Sequence, residues 1–417
     1  MDAATARWLV SDAARPALTA ATAETDPGSL AAATRLRALV APEQAAAVAT
    51  QAILRRKAVG KFGRRAERLF FTPDGLEQAT RAPVAARRAA RFAHLMAAAN
   101  GRALAAPGPI ADLGCGLGAD ALAFADAGLE VIAVERDAVT AILAEANLAA
   151  AEPLVQETRE TAVAAGMLAP PTLVIGTAEA VWPDLSTSAS RLVDQAGPAD
   201  GLRAATARAV FCDPARRTAS GRTWRVEDLT PPWPFVEGLL DGRRVACVKL
   251  GPGVPHRIIP AGVWAEWVSD RGQVVECALW AGPGVQKGVR SAVVDGAELV
   301  AALSPEPAEA APIGAYLYEP DGAVVRAGLV DELARLIRAT RVASGIAYLS
   351  ASWHMPTPFA DVFAVREVLP YDEKVLRAWV RDRGVGTLEI KKRGIDVDPA
   401  QLRRRLKPRG ARRRRWC

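Results

Sequence analysis

The sequence predicts an α/β protein: a mostly parallel sheet in the middle of the chain, preceded by an all-helical segment and followed by a small α+β segment. Three observations predict it. Before residue 108 the apolar residues keep helical spacing and no strand-like alternation appears. After the Pro107-Gly108-Pro109 break, short apolar runs alternate with helical stretches, as parallel strands joined by crossover helices require. Beyond a proline- and acid-rich stretch from Ser304 to Pro312, short strands and amphipathic helices mix. With 417 residues, and roughly 100 to 200 per domain, two to four domains are expected. The expected divisions are 1–106, 107–303, a linker at 304–313, and 314–417.

From Ala31 to Ala58 an alanine-rich pattern brings Leu36, Leu39, Val40, Val48 and Ile53 near helical spacing and predicts one helix. A second is predicted from about Asp74 to Ala99, opened by Thr72-Pro73-Asp74. The basic stretch Arg55, Arg56, Lys57, Lys61, Arg64, Arg65 and Arg68, with Phe62 inside it and Phe70-Phe71 after it, suits a nucleic-acid surface or a solvated helix face. Strands are predicted at Ile110-Leu113, Glu130-Val134, Leu173-Ile175, Ala209-Cys212, Val245-Lys249 and near Val274-Trp280. In the last segment, strands are predicted at Tyr316-Tyr318, Ala347-Leu349, Val362-Val365 and Thr387-Ile390, with helices at Leu329-Arg341 and Glu373-Asp382.

Composition excludes several classes. No run of about 18 uncharged apolar residues is present, and Asp2 and Asp12 sit where a signal peptide needs a basic start, so neither a membrane partner nor secretion is expected. Five scattered cysteines without a Cys-x-x-Cys pair and three distant histidines argue against a disulfide scaffold and a metal site, and suit a reducing cytoplasm. Charge is segregated: 16 Lys+Arg against 8 Asp+Glu over residues 1–108, 16 against 26 over 109–315, and 21 against 12 over 316–417. An acidic body between basic flanks suits a catalytic core with surfaces that hold a polyanion. The excess of arginine over lysine, 45 to 8, also fits the codon usage of a GC-rich genome.

The strongest local signal is Asp112-Leu113-Gly114-Cys115-Gly116-Leu117-Gly118-Ala119, which closes a strand and opens a helix. Glycines there let the backbone turn and approach a nucleotide-like ligand. Their spacing also satisfies the dinucleotide pattern G-x-G-x-x-A. Asp112, just before the first glycine, instead suits a cationic ligand end and would repel a pyrophosphate. The next strand ends in Val134-Glu135, where a carboxylate can accept from both ribose hydroxyls.

This arrangement resembles the class I S-adenosylmethionine-dependent methyltransferases over about residues 106–290. The resemblance implies a Rossmann-like sheet and S-adenosyl-L-methionine as cofactor. The position of Asp112 then holds the methionine end, Gly114, Cys115, Gly116 and Gly118 line the cofactor, and Glu135 with Arg136 holds the ribose. Thr177 and Ala178 flank the adenine, with Thr177 in place of the family's usual acid. Asp213-Pro214-Ala215-Arg216-Arg217 occupies the position of the Asp/Asn-Pro-Pro-aromatic motif of amino-group methyltransferases. Asp213, Pro214 and Arg216 are the candidate catalytic residues; Arg216, Arg217 and Lys249 are the candidate substrate-binding ones.

Asp-Pro-x-Arg also resembles the motif of 5-methyluridine-forming RNA methyltransferases, but Lys249-Leu250-Gly251 lacks their cysteine, and Cys212 reads as a buried packing residue. Phe70-Phe71-Thr72-Pro73-Asp74-Gly75, Tyr316-Leu317-Tyr318-Glu319-Pro320 and Lys391-Lys392-Arg393-Gly394 extend the similarity to bacterial methyltransferases with a helical N-terminal domain and a C-terminal THUMP-like domain. That resemblance implies an RNA partner, tRNA or rRNA, and places Gln78–Thr80 near the methionine end or in an N-cap or helix-packing role; the reading taken from the whole sequence is transfer to an exocyclic or ring nitrogen of an RNA base. A small-molecule or protein substrate, and a non-catalytic RNA-binding protein with a degenerate fold, are the alternatives. The arginine run 412–415 stands where the resemblance leads one to expect another strand, and reads either as an incomplete sheet or as an unusual C-terminus.

Overall fold

The computed structural model describes residues 1–99, 108–149, 171–187, 206–216, 225–302 and 306–416. They form two compact units, Met1–Ala265 with Glu276–Val289, and Glu266–Val275 with Arg290–Cys417.

The first unit opens with helices α1 (Ala3–Val10), α2 (Arg15–Ala23), α3 (Leu30–Arg37), α4 (Pro42–Phe62), α5 (Pro73–Gln78) and α6 (Ala82–Ala99). The single helix predicted from Ala31 to Ala58 is therefore two. Pro42 has no N–H to continue the ladder but fits the first turn of a new helix, whose start is closed by Gln44 Oε1 accepting from the Ala41 N–H at 3.2 Å. The helix predicted from Asp74 to Ala99 is likewise broken after Gln78, with Pro83 in the first turn of α6. Its predicted start holds: Thr72 Oγ1 accepts from the Gly75 N–H at 3.1 Å.

Among the described residues the main sheet then takes β1 (Ile110–Leu113), β2 (Val131–Glu135), β3 (Thr172–Ile175), β4 (Ala209–Cys212), β5 (Val245–Leu250) and the hairpin β6 (Trp264–Asp270) and β7 (Gln273–Ala281), of which Glu266–Val275 belong to the second unit. Their order is β3-β2-β1-β4-β5-β7, with β6 beside β7. The first five are parallel and β7 runs antiparallel to β5. Helices α7 (Ala119–Asp126), α8 (Ala138–Ala149) and α9 (Ala178–Ser186) follow β1, β2 and β3, and α10 (Trp233–Gly238) precedes β5. Strand β6 escapes sequence reading because Glu266, Ser269 and Asp270 interrupt its apolar pattern, although all three are buried.

One apolar core joins the N-terminal helices to the sheet. Phe92 of α6 packs against Phe124 and Trp280 with ring centroids 5.4 and 4.9 Å apart, and Phe124 meets Phe211 of β4 at 5.6 Å. Each such aromatic pair contributes about 0.5 to 1.5 kcal/mol beyond its area.

The basic stretch 55–68 serves this fold. Arg55 donates to the Leu69 carbonyl at 2.9 Å and lies over Phe70, Arg56 donates to the carbonyls of Thr22 and Thr25, and Arg65 pairs with Asp126. Lys61 Nζ donates to three carbonyls, those of Leu76 (2.7 Å), Glu77 (2.6 Å) and Ala79 (2.9 Å), at the C-terminal end of α5. Of this stretch, read as a nucleic-acid surface or a solvated helix face, Arg55, Arg56, Lys61 and Arg65 are thus loop fasteners. Lys61→Met should lower stability by about 1 to 3 kcal/mol, because three carbonyls lose their charged donor. Urea denaturation measures this; an unchanged midpoint would show that water replaces the ammonium at no cost.

The second unit contains the hairpin β8 (Arg290–Val294) and β9 (Ala297–Val300), turned by Asp295-Gly296 with both φ angles positive. Strands β10 (Tyr316–Pro320), β11 (Thr340–Arg341), β12 (Leu349–Ala351) and β13 (Ala360–Ala364) form a sheet ordered β11-β12-β10-β13, accompanied by α11 (Gly322–Ala327) and α12 (Val330–Ile337). The helix predicted to Arg341 stops at Ile337 because Arg338 turns left-handed, at φ 53°. Helices α13 (Glu373–Asp382) and α14 (Pro399–Leu406) and the parallel pair β14 (Val385–Ile390) and β15 (Arg412–Trp416) complete the unit.

The arginine run is therefore a strand, paired in parallel with β14. Glycine makes its pairing possible: a Cβ on Gly386 would stand 1.4 Å from the Gly410 carbonyl oxygen. Leu376, Trp379, Val380, Val385, Leu388, Leu402 and Leu406 form the core beneath.

Candidate active site

The in-register pairs Leu113↔Cys212 and Cys212↔Val248 bring Gly114, Asp213 and Lys249 side by side at the carboxyl edge of β1, β4 and β5. Parallel α/β sheets bind ligands at this edge. Past β1, Gly114, Gly116 and Gly118 have φ of 84°, 57° and 80°, a left-handed run in which any side chain is strained. A Cβ on Gly114 or Gly116 would meet no protein atom within 4 Å, so backbone conformation and not crowding dictates glycine there.

Glu135, at the end of β2, reaches back across this loop. Its Oε2 accepts from the Gly116 N–H at 3.0 Å and its Oε1 from the Asp137 N–H at 2.8 Å. Arg136 beside it is exposed. At the end of β3, Thr177 caps α9, its Oγ1 accepting from the Ala180 N–H at 3.3 Å, and Ala178 is buried. Ile175 next to them is 63% exposed, an unusual apolar surface at the mouth of a sheet. Cys115 and Cys212 hold their protons, because burial, and then nearby carboxylates, push both thiols well up.

Asp112 is buried, and neither carboxylate oxygen has a hydrogen-bond partner. Burial, together with Asp120 and Asp213, raises its pKa well above the carboxylate range. Around it runs a polar chain: Glu276 pairs with Arg88 at 2.5 Å, Arg88 with Asp120, Thr80 Oγ1 donates to Asp120 at 2.6 Å, Lys249 donates to Thr80 Oγ1 at 3.1 Å, and Lys249 pairs with Asp213. Arg88 also lies 4.7 Å over the Phe211 ring. Four carboxyl groups, those of Asp112, Asp120, Asp213 and Glu276, thus share two cations. An orphan buried carboxylate with surplus negative charge around it fits a ligand carrying an ammonium and a sulfonium.

Of the residues expected to act on substrate, Asp213 and Lys249 come together, Pro214 is buried, and the backbone of Ala215-Arg216 pairs with Leu229-Thr230. Arg217 lies outside the described residues. Arg88, Asp120 and Glu276 escaped sequence reading. The available signal was a charge on an apolar helix face: Arg88 shares the buried face of α6 with Val84, Ala85 and Phe92.

The comparisons with known proteins agree with this geometry. The THUMP domain-like family matches residues 360–416, and a family described as a domain of unknown function matches residues 2–58. Two curated relatives from Mycobacterium tuberculosis, strains CDC 1551 / Oshkosh and ATCC 25618 / H37Rv, are described as uncharacterized S-adenosylmethionine-dependent methyltransferases. Each is 32% identical over 376 residues, covering 86% of this chain and 88% of the relative. A crystallised protein from Porphyromonas gingivalis W83, assigned as a methyltransferase, shares the fold at 20% identity, with a TM-score of 0.66 over 89% of this chain and 86% of that one. Among the described residues no helix is long and apolar enough to cross a membrane, and no group of three His, Cys, Asp or Glu could hold a metal ion. The strand order, the glycine loop and identity sustained over most of the length lead to one conclusion: the chain belongs to the S-adenosylmethionine-dependent methyltransferases.

Proposed function

We propose that the chain methylates a nitrogen of an RNA base in the cytoplasm, with residues 1–106 and 107–303 as the catalytic body and 314–417, beyond the linker 304–313, as the RNA-holding part. The observation that carries this reading is charge. The THUMP-like stretch 360–416 holds 17 Lys+Arg against 8 Asp+Glu, and Arg404, Lys407, Arg409 and Arg412 are exposed. Such density suits a phosphate backbone.

In the catalytic body, Asp112 takes the cofactor's ammonium, and Gly114, Cys115, Gly116 and Gly118 lay backbone along it. Glu135, beside Arg136, takes the ribose hydroxyls, while Thr177, Ala178 and the exposed Ile175 border the adenine. The cofactor supplies a methyl group on an electrophilic sulfonium. The protein's contribution is therefore alignment and proton removal. Asp213 orients the acceptor nitrogen and accepts its proton, Pro214 fixes the strand end, and Arg216 and Arg217 hold the base or its phosphate.

Two measurements test the two halves. In calorimetry, Glu135→Ala should weaken S-adenosylmethionine binding ten- to hundredfold, about 1.5 to 3 kcal/mol. Binding should also strengthen as pH rises through the elevated pKa of Asp112, since that carboxyl must lose its proton to pair with the ammonium. Unchanged affinity on both counts would move the cofactor elsewhere.

For RNA, the Arg404/Lys407/Arg409 triple alanine variant should weaken binding and reduce the salt slope by about 2, at roughly 0.7 to 0.9 per lost phosphate contact. Point variants are required because removing residues 403–416 would take away β15 and the core residue Leu406. An unaltered slope would favour a small-molecule or protein substrate.

A further inference from the structure

At the acceptor end of the site one hydrogen-bond donor and one acceptor are left over beside each other. The Lys249 ammonium has three N–H groups. One goes to Asp213 Oδ2 and one to Thr80 Oγ1, and the third has no partner among the described residues. Asp213 receives Lys249 on Oδ2 alone, so Oδ1 keeps its acceptor capacity among the described residues. Thr80 determines which N–H is spare: its hydroxyl donates to Asp120, so a lone pair faces Lys249. Asp213 is a third exposed and Lys249 keeps 14% of its side chain exposed, so an acceptor base can reach both.

A spare carboxylate oxygen next to a spare ammonium N–H complements an N–H beside a C=O. Guanine N1–H with O6, and uracil N3–H with either flanking carbonyl, present that lactam edge. An exocyclic amine beside a ring nitrogen shows a similar donor and acceptor, but there a cation on the ring nitrogen draws electrons from the amine and weakens it as a nucleophile. A lactam nitrogen becomes nucleophilic only when its proton leaves, and a cation on its carbonyl oxygen promotes that step. Resting on the RNA-base reading above, the geometry points to a lactam ring nitrogen as the atom methylated and to Lys249 as a catalytic residue, with Thr80 positioning it.

The step balances. The N–H proton passes to Asp213 Oδ1, the freed electron pair forms the N–CH₃ bond, and the S–CH₃ bond breaks with its electrons kept by sulfur, leaving a neutral thioether. Charge gathering on the carbonyl oxygen meets the third N–H of Lys249. Burial alone would lower the Lys249 pKa, but Asp213, with Asp120 and Glu276, raises it against the opposing Arg88, so it stays cationic. Burial raises the Asp213 carboxyl, joined by Asp120 and opposed by Lys249 and Arg88, which makes it a stronger base than a free carboxylate.

The experiment incubates the full chain with methyl-labelled S-adenosylmethionine and total RNA from cells lacking the gene, then identifies labelled nucleosides by mass spectrometry. The expected label is on N1 of guanosine or N3 of uridine. Lys249→Met should lower kcat at least tenfold with little change in the cofactor KM, Lys249→Arg should restore part of it, and the acid limb of the pH–rate profile should move upward as Asp213 loses its cation. Label on an exocyclic amine, a ring carbon or a ribose overturns the lactam assignment while leaving RNA as substrate. An unmoved acid limb in a folded Lys249→Met variant overturns the role of Lys249. No label in RNA, with label appearing when the protein or small-molecule fraction of the same cells is supplied instead, overturns the RNA reading, and this inference with it.

Discussion

Asp213→Ala is expected to lower turnover by about two or more orders of magnitude while S-adenosylmethionine affinity stays nearly unchanged. The side chain sits one residue past the buried end of β4, and among the described residues its hydrogen-bond donor is Lys249 and no group of the glycine loop or of Glu135. Its loss therefore removes proton acceptance and acceptor alignment, and leaves the hydrogen bonds of Glu135 and the glycine loop in place. Asp213→Asn keeps the shape and one oxygen but cannot take a proton, so it should be nearly as slow. Single-turnover rates with labelled cofactor, beside calorimetric affinities, separate the two effects. Cys212→Ser should remain active, because that thiol is buried and held protonated. Wild-type turnover in Asp213→Ala would remove the carboxylate from the chemistry.

The second large effect is on folding. Arg88 is buried between Asp120 and Glu276, and the pair partners are buried as well. Replacing it by Met leaves two carboxylates without their shared cation in a low-dielectric core, a change that costs about 3 to 5 kcal/mol. Against a typical total of about 5 to 15 kcal/mol, that is enough to unfold a large fraction of the protein on modest heating. The control is the triple variant Arg88→Met/Asp120→Asn/Glu276→Gln, which removes the stranded charges and should regain much of the loss. Equal denaturation midpoints for wild type and Arg88→Met would mean that the buried chain carries no net electrostatic demand.

What was legible in the sequence was local. The glycine loop, the acid before it and the carboxylate ending the next strand lie within 24 residues, and each is dictated by backbone conformation or strand position. Helix α13 and strand β4 were predictable because their apolar spacing is unbroken, and β1 because the glycine loop follows it directly. The break between α3 and α4 was hidden by alanine-rich spacing that continues across it, although Pro42 marked it. The strand β15 was hidden because an arginine run has no apolar alternation; backbone pairing with β14 makes it a strand. The connection from Glu276 to Asp213 was not legible beyond the charge of Arg88 on an apolar helix face, since Arg88 and Glu276 are 188 positions apart and meet only when α6 packs on the sheet. It is also what changes the reading of Asp213, from a carboxylate alone to one half of a pair with Lys249.

The most direct test of the account is where the methyl group goes. A lysate from cells lacking the gene, given the full-length protein and methyl-labelled S-adenosylmethionine, is separated into RNA, protein and small-molecule fractions, with Asp213→Ala as the parallel sample. The account predicts label in the RNA fraction with wild type and a loss of about a hundredfold or more with Asp213→Ala. Label confined to the protein or small-molecule fraction, or label in RNA that persists undiminished in the Asp213 variant, would contradict it.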